Sequence, residues 1–380
     1  MATKPTRAGA DGRRGDARRP RVCVISGSDS DLGGLEPVAK ELRAAGASVR
    51  WIGVGPANRK PPPLPRVMVP AIAPPKGQVD QMARYVADVQ RHVTEILVRM
   101  RPEFVVLLGD RHEILAAACA AAMLRIPIGH IHAGELALGQ TDNRVRLAVS
   151  RLSDLLFAPD EKSYRRLLAW GELRNRVFHV GSPFTDSLCP IKPMRQRRGL
   201  KPFEYVMCIY HSVRPDDAWE YREAGKVLAK VEAARRRLAR KLGHEIRMIF
   251  FEPSPYPGRD GIIRRWREVA KARPGVALYQ ERLGRPEFLR LLTHAAHIIA
   301  NSSGLFTEAV PLGVPMTLVG RRQKGRTLSA PRAAHRPVLK RPLAGGPYGG
   351  PGASRKIARA ILRALRQGAM GRAKEFQDIR

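Results

Sequence analysis

Residues 104–135 read FVVLLGDRHEILAAACAAAMLRIPIGHIHAGE, and this stretch decides the fold class of the chain. An apolar run at 104–108 has the length of a buried strand and leads to Asp110. An alanine-rich stretch typical of a core helix follows, and a second apolar run at 128–131 leads to Glu135. Strand, helix and strand in succession predict neighbouring parallel strands, and open α/β sheets bind their ligands where such strands end.

The first half of the chain extends this alternation in both directions. An amphipathic helix with Leu35, Val38 and Leu42 on one face lies between two short apolar runs, which is the opening of a Rossmann-like domain. The elements predicted here are strands at 22–26, 49–54, 104–108, 128–131, 155–158 and 177–180, with helices at 78–100 and 144–152. Residues 55–77 are rich in proline and are predicted to form a surface loop.

The second half repeats the pattern after a basic, proline-marked hinge. Its predicted elements are strands at 205–210, 246–251, 276–278, 298–300 and 315–319, with helices at 218–242, 260–272, 286–295 and 354–367 and one entered at Ser302. We therefore predict an α/β fold with two Rossmann-like domains facing a central cleft. The predicted organisation is a disordered basic tail at 1–20, a first domain at 21–190, a hinge at 191–203, a second domain at 204–352 and a C-terminal helix at 353–380 that packs back across the hinge.

The formal net charge of +34 is the most unusual feature of the composition. Residues 1–21 contain seven Lys or Arg and two Asp, so most of the excess lies in the folded part. Such a charge attracts polyanions without specificity. Aromatic residues make up 6% of the chain and none interleaves with a basic run, which disfavours a specific nucleic-acid module. A genome that favours arginine codons explains the charge as well, and we favour that explanation.

Cysteine usage and hydropathy indicate the compartment. The four cysteines stand singly in apolar runs, which predicts a reducing environment; they are Cys23, Cys119, Cys189 and Cys208. No apolar stretch reaches the roughly 20 uncharged residues that a membrane span needs. The basic N-terminus has no apolar segment before Val22, unlike a secretory signal. We expect a cytoplasmic protein without a membrane span.

Two features of the second half predict ligand chemistry. The segment NSSGLFTEAVPLGVP at 301–315 follows a strand and is predicted to open a helix, whose free N–H groups favour a phosphate. A capping role for Ser302 explains the same pattern equally well. His211 also follows a strand, where a lone histidine is more often structural. His130 and His132 share a strand face but have no third ligand at metal-binding spacing, so no metal site is predicted.

Four motifs in chain order resemble the UDP-N-acetylglucosamine 2-epimerase family, particularly its hydrolysing branch. They are GDR at 109–111, HIHAGE at 130–135, D-x-x-x-R at 142–146 and GSPxxD at 181–186. GRRQKGR at 320–326 resembles the family's loop over the nucleotide, and PYGGPGAS at 347–354 resembles its closing motif. The resemblance covers about residues 21–366 and implies a GT-B-like pair of Rossmann-like domains, the second of which binds UDP.

The resemblance also implies a set of site residues. Ser302, Ser303 and Gly304 match residues that hold the diphosphate, and Glu308 matches the acid that holds the ribose hydroxyls. His211 matches a histidine suited to bind or protonate the leaving diphosphate oxygen. The implied catalytic residues are Asp110, Glu135, Asp142 and His211, and the implied nucleotide- or substrate-binding residues are His132, Arg146, Asp186, Ser302, Ser303, Gly304, Glu308, Arg322, Gln323 and Arg326.

The family reaction removes the C2 proton of the sugar, expels UDP from C1 and adds water across the resulting glycal with inversion at C2. Carboxylates whose pKa values are pushed apart suit such proton transfers. The implied function is a hydrolysing UDP-N-acetylglucosamine 2-epimerase that releases UDP and N-acetylmannosamine, or a related 2-acetamido sugar, for sialic-acid-like synthesis. The family implies a UDP-sugar substrate, no metal or redox cofactor, and a homo-oligomer, either dimer or tetramer.

Several residues depart from the family pattern. Asp29 stands where an arginine helps bind the nucleotide, and His132 stands where many members have glutamate. Ser254 and Tyr256 replace the Asn and Asp of another family motif. These departures keep open a nucleotide-sugar-binding protein without turnover. Nonhydrolysing epimerisation, a glycosyltransferase of the same architecture and a polyanion-binding protein also remain open.

Overall fold

The computed structural model describes residues 19–54, 65–69, 79–137, 142–188, 190–194, 199–254, 256–281, 283–324, 346, 348–368 and 374. Most of the basic tail predicted at 1–20 lies outside these ranges, as do the central residues of the predicted hinge.

The first sheet has seven parallel strands in the order β3-β2-β1-β4-β5-β6-β7. Its strands are β1 (Arg21–Ser26), β2 (Ser48–Gly53), β3 (Arg66–Met68), β4 (Phe104–Leu108), β5 (Ile128–Ile131), β6 (Leu155–Ala158) and β7 (Val177–His179). The helices that connect them are α1 (Leu32–Ala44), α2 (Val79–Met100), α3 (His112–Met123), α4 (Asp142–Leu152) and α5 (Glu161–Ala169). The reversal of strand order beside β1 is the doubly wound arrangement of Rossmann-like folds.

The second sheet has five parallel strands in the order β10-β9-β8-β11-β12. They are β8 (Tyr205–Ile209), β9 (Arg247–Phe251), β10 (Ala277–Gln280), β11 (His297–Ala300) and β12 (Met316–Leu318). Helices α6 (Asp217–Leu242), α7 (Arg259–Ala272) and α8 (Arg285–Thr293) connect them, and α9 (Ala353–Arg366) follows. Most bounds agree with the prediction to within one or two residues.

Both sheets bury apolar side chains on their two faces, as parallel sheets covered by helices do. Successive residues of β1 alternate between two cores: Val24 packs with α1 and α9, whereas Cys23 packs with α2 and α3. In β8, Met207 and Cys208 divide between two further cores in the same way. Burial raises the pKa of the Cys23 and Cys208 thiols well above the usual range, so both act as small apolar side chains.

The C-terminal helix α9 returns to the first sheet. Its residues Ile357, Ile361 and Leu362 belong to the same buried cluster as Leu35 and Leu42 of α1. We call each sheet together with the helices that cover it a layer. The first layer therefore contains residues from both halves of the described chain.

Two local predictions are wrong. The predicted loop at 55–77 contains the strand β3. This strand forms because it pairs with β2, and not because its own sequence has an alternating apolar pattern. The helix expected at Ser302 is one short π-helical turn, Leu305–Ala309, followed by turns. Pro311 has no N–H to continue a helix, and Gly313 adopts φ +68°.

Candidate active site

The predicted acids of the first sheet lie at one edge. The carboxyl ends of β4 and β5 are side by side, because Leu108 pairs with Ile131. Asp110 comes two residues after β4, and Glu135 comes four residues after β5. The register of two neighbouring strands thus brings together two residues that are far apart in sequence.

His211 lies at the equivalent edge of the second sheet. Its strand β8 pairs with β11, and the residue that follows β11 is Asn301. The Asn301 side chain accepts from the His211 N–H and donates to the His211 carbonyl, each at 2.8 Å. Gln323, predicted to contact the nucleotide, donates to the Asn301 carbonyl at 2.8 Å. Asn301 therefore fixes the backbone of His211, a role that sequence reasoning missed although the residue opens the predicted phosphate segment.

The imidazole of His211 has a defined orientation. Its Nδ1 accepts a hydrogen bond from the Ser254 N–H at 3.0 Å. A neutral imidazole that accepts at Nδ1 carries its proton on Nε2. His211 is thereby prepared to donate a hydrogen bond from Nε2.

The edges of the two sheets face each other across a cleft. The Tyr256 ring, which follows β9, has the guanidinium of Arg111 and that of Arg322 each 5.7 Å from its centroid. Arg111 adjoins Asp110 in the first layer, whereas Arg322 belongs to the second. Tyr256, one of the departures from the family pattern, is thus an aromatic contact between the layers beside the predicted acids.

Arg146, on α4, joins the two acids of the first layer. Its guanidinium donates a hydrogen bond to Asp110, and its Nη1 lies 3.5 Å from Glu135 Oε2. The Arg146 side chain is 2% exposed. Its positive charge therefore compensates two carboxylates that would otherwise repel each other in a buried setting.

Glu135 is more enclosed than Asp110. One Glu135 oxygen accepts a hydrogen bond from the Tyr348 hydroxyl, and the other lies 3.4 Å from His132 Nδ1. The Glu135 side chain is 3% exposed and that of Asp110 is 18% exposed. Asp110 is therefore the more accessible of these two acids.

His132 is held within the protein at both ring nitrogens. Its Nε2 lies 2.9 Å from Ser182 Oγ, and its ring packs against Phe184 and Tyr348. Ser182, His132 and Glu135 have the order of a nucleophile, base and acid, but Ser182 is fully buried and unreachable by a substrate. The expected contact of His132 with substrate stays a prediction.

His130 lies behind this cluster and ties its parts together. Its Nε2 donates to the Gly109 carbonyl at 2.8 Å, so Nδ1 accepts from the Ser150 hydroxyl at 3.0 Å. Burial lowers the pKa of His130 to about 4, which keeps the ring neutral. His130 thus fixes the backbone next to Asp110 to the helix that carries Arg146.

The predicted diphosphate segment follows β11. Gly304 donates its N–H to Ser302 Oγ at 3.3 Å, and both residues are partly exposed, as is Ser303. Because the turn that follows is short, the helix-dipole argument is weaker than the sequence predicted, and the backbone N–H groups are the better basis for an anion site. The expected contact of Ser302, Ser303 and Gly304 with diphosphate stays a prediction.

Glu308, expected to hold the ribose, forms an ion pair with Arg285. The Arg285 guanidinium also donates to Ser187 Oγ of the first layer at 3.1 Å. Glu308 is therefore linked through one arginine to the opposite layer, a contact that no sequence signal indicated.

Asp186 holds the start of α9. Its two carboxylate oxygens accept from the N–H groups of Gly352 and Ser354, the second at 2.7 Å. Thr185 Oγ1 donates mainly to the Ser182 carbonyl at 2.7 Å and also lies 3.2 Å from the Gly350 carbonyl. The motif at 181–186 and the closing motif at 347–354 therefore contact each other. A contact of Asp186 with substrate stays a prediction.

The loop after β1 forms a buried charge cluster beside the cleft. Asp31 accepts from the N–H groups of Gly27 at 2.8 Å and Ser28 at 3.0 Å, and burial raises the pKa of its carboxyl to about 6. Arg111 lies 3.0 Å from Glu113, and its positive charge opposes that rise. Asp29 lies in the adjoining 3-10 turn, Asp29–Asp31.

Some predicted site residues fall outside the described part. Asp142 is the first residue of α4, but its side chain is not described, and Arg326 lies beyond residue 324. Their roles stay predictions. Among the described residues, no group of three or more His, Cys, Asp or Glu is arranged to hold a metal ion. Within the same ranges, every helix is too short or too polar to cross a bilayer.

Two parallel-sheet layers that face each other across a cleft define a GT-B-like α/β protein. A family model described as UDP-N-acetylglucosamine 2-epimerase matches residues 69–338, and the chain belongs to this family. The resemblance noted in the sequence and the expected fold class are thereby confirmed.

Curated relatives agree with that assignment, and solved structures share the fold. The chain is 32% identical over 259 residues to the UDP-N,N'-diacetylbacillosamine 2-epimerase (hydrolyzing) of Legionella pneumophila, covering 67% of this chain and 65% of the relative. It is 27% identical over 233 residues to the GDP/UDP-N,N'-diacetylbacillosamine 2-epimerase (hydrolyzing) of Campylobacter jejuni, covering 60% and 58%. The matches thus span less than two thirds of these relatives. The Methanocaldococcus jannaschii UDP-GlcNAc 2-epimerase structure, in complex with UDP-GlcNAc and UDP, has a TM-score of 0.67 at 18% identity and covers 90% of this chain and 99% of its own.

Proposed function

We propose that this protein is a hydrolysing 2-epimerase of UDP-2-acetamido sugars. Its substrate is UDP-N-acetylglucosamine or a 2,4-diacetamido relative such as UDP-N,N'-diacetylbacillosamine, the sugar in the names of two similar proteins. The observation that carries the proposal is the placement of Asp110. This accessible carboxylate is held by the buried Arg146, and the residue that follows it, Arg111, contacts the Tyr256 ring of the second layer.

The first half of the reaction is an elimination. Asp110 takes the C2 proton of the sugar, the C1–O bond to the diphosphate breaks, and a C1–C2 double bond forms. The diphosphate leaves as an anion, and the His211 Nε2–H donates a hydrogen bond to its departing oxygen, consistent with the acceptor role of Nδ1 toward Ser254. The ion pair with Arg146 holds the Asp110 carboxylate in place for this step.

The second half adds water across the double bond. The hydroxyl of the water bonds to C1, a second acid gives C2 a proton on the opposite face, and the remaining proton of the water replaces the one that this acid gave. Asp142, at the start of α4, is our candidate for that second donor. The sum of the two halves is UDP-sugar plus water giving UDP and the free 2-epimeric sugar, with no change of oxidation state.

The second layer supplies the proposed nucleotide site. Ser302, Ser303 and Gly304 are proposed to line the diphosphate site, where a bound diphosphate would compete with Ser302 Oγ for the Gly304 N–H. Glu308 is proposed to accept from the ribose hydroxyls, either while it stays paired with Arg285 or after that ion pair opens. Arg322 and Gln323 complete the site from the adjoining loop. Action without a metal or redox cofactor, a homo-oligomeric state, a cytoplasmic location and a role in sialic-acid-like synthesis stay predictions.

A nucleotide-sugar-binding protein without turnover is the second candidate. The observation that favours it is Tyr256, which places an aromatic ring between two arginines where the family usually has an acid. Such a protein would be stabilised by UDP but would release no sugar.

The test is an NMR time course in heavy water with UDP-N-acetylglucosamine and, separately, UDP-N,N'-diacetylbacillosamine. We expect UDP and a free 2-epimeric sugar that carries deuterium at C2. Asp110→Asn should lower kcat by about 10²–10⁴-fold, as expected for loss of a general base. Asp260→Asn is the matched control, because that side chain is exposed at the start of α7. UDP-induced stabilisation without sugar release from either substrate would favour the second candidate, and an epimerised product still attached to UDP would exclude hydrolysis.

A further inference from the structure

The segment that begins at Tyr348 is fastened to the first layer through its backbone. The Tyr348 carbonyl accepts the Ser182 N–H at 3.2 Å. Gly181 allows this approach, because it adopts φ +87° and a Cβ there would lie 2.7 Å from the Tyr348 carbonyl oxygen. Asp186 holds the same segment six residues further on, at Ser354.

This fastening places a phenol inside the acid cluster. Tyr348 is 1% exposed, its ring centroid is 5.5 Å from that of His132, and its hydroxyl donates to Glu135 Oε1. The other Glu135 oxygen faces His132 and Arg146. Glu135 therefore receives hydrogen-bond and charge partners from two distant parts of the chain.

We propose that Tyr348 is a positioning residue of the proposed active site, acting on Asp110 through Glu135 and Arg146. A phenol that donates to a carboxylate favours the ionised form and fixes its direction. An ionised Glu135 attracts one end of the Arg146 guanidinium, whose other end holds Asp110. Tyr348 thus sets the position of the accessible acid without touching the substrate. The inference rests on the proposed function, because Asp110 is assigned there as the base.

The hydroxyl rather than the ring carries this role. The ring fills space beside His132, and phenylalanine would fill it equally well. Tyr348→Phe therefore removes one hydrogen bond while preserving the packing. Tyr279→Phe is the matched control, because the Tyr279 hydroxyl on β10 is buried without a partner among the described residues.

The first measurement is the pH dependence of kcat and KM for both variants. Tyr348→Phe should lower kcat by about 10-fold with KM changed less than about 3-fold, as for loss of a charge-assisted hydrogen bond in a network. Its acidic limb should move up by about half a pH unit or more, because an undonated buried carboxylate is harder to ionise. Tyr279→Phe should match the wild type in both respects. A Tyr348→Phe profile that overlays the wild-type profile would overturn the proposal.

A double-mutant cycle with Glu135→Gln separates this proposal from the proposed function. Thermal stability is measured at pH 7 and pH 4.5 for the wild type, each single variant and the double variant. We expect Tyr348→Phe to lower Tm more at pH 7 than at pH 4.5, and to lower it little in the Glu135→Gln background. These measurements do not need turnover. An inactive wild type would therefore contradict the proposed function, whereas the cycle would still test the coupling of Tyr348 to Glu135. Additive Tm losses at both pH values would overturn the coupling of Tyr348 to Glu135.

Discussion

Ser187 donates its hydroxyl to the Gly33 carbonyl at 2.6 Å. Gly33 lies in α1, and the residue four positions later is Pro37, which has no N–H to offer that carbonyl. The Ser187 hydroxyl thus replaces a missing backbone hydrogen bond. Because Arg285 donates to the same hydroxyl, the repair also connects the helix to the opposite layer.

Replacing Ser187 with alanine should therefore cost about 1–2 kcal/mol, because the Gly33 carbonyl loses its donor. In a Pro37→Ala background, the restored N–H can bond to Gly33, and the same replacement should cost less. Urea unfolding of the two single variants and the double variant tests this coupling. Equal losses in both backgrounds would show that the hydroxyl does not act through Gly33.

Acid should destabilise the protein through His130. Its pKa is about 4 in the folded state, against a usual value of 6.5. Between those pH values the unfolded imidazole binds the proton and the folded one does not, so stability falls as pH falls from 6.5 towards 4. His297 shifts in the same direction, whereas Asp31, with its pKa raised to about 6, acts in the opposite direction.

The contribution of His130 can be isolated by substitution. His130→Gln should flatten the fall in unfolding free energy between pH 7 and pH 4.5 by roughly 2 kcal/mol. The measurement is urea unfolding at both pH values, with the exposed His244→Gln as control. A variant with the wild-type slope would place the acid sensitivity elsewhere.

Asp186→Ala should cost about 1–2 kcal/mol, because it removes the acceptor for two N–H groups at the start of α9. It should also lower turnover, since the same segment carries Tyr348. Asp160→Ala is the matched control: Asp160 caps α5 by accepting from Ser163 at 2.7 Å and lies outside the proposed site. Comparable losses of stability with loss of turnover only in Asp186→Ala would bear this out, and equal turnover in the two variants would contradict it.

Tyr256→Ala should weaken UDP binding by up to about 5–30-fold, because Arg111 and Arg322 lose a shared aromatic contact of about 0.5–1 kcal/mol each. Tyr256→Phe should bind nearly as the wild type does. Tyr221→Ala is a control of the same design, since that ring lies under Arg264 and Arg265 away from the cleft. Calorimetric titration with UDP provides the comparison, and identical affinities for the two alanine variants would remove Tyr256 from the site.

The repeated strand and helix pattern made the two layers predictable, because buried parallel strands have strongly apolar sequences. Asp110, Glu135 and His211 were recognised since each follows such a strand. The edge strand at 66–68 was missed because its order comes from pairing with β2. The helix expected at Ser302 was predicted to be too long, because Pro311 interrupts this segment.

The contacts that sequence could not supply are long-range. Tyr348 and Glu135 are 213 positions apart, and the sequence around each residue does not indicate that it contacts the other. Asp186 looked like a site acid because it stands in a family motif, and its contacts with α9 became visible only with the backbone in place. The spacing of apolar residues predicts helices and strands. Long-range contacts such as these depend instead on where the folded loops place their residues.

The return of α9 to α1 has a consequence for synthesis. The ribosome makes α1 well before α9, and side chains of both helices belong to one buried apolar cluster. During translation, Ile357 and Ile361 become available to this cluster with Leu35 and Leu42 only after the second layer has been made. Until α9 emerges, the part of this apolar cluster that α9 covers therefore stays exposed, and a chain stopped before α9 would leave it open to chaperones and to self-association.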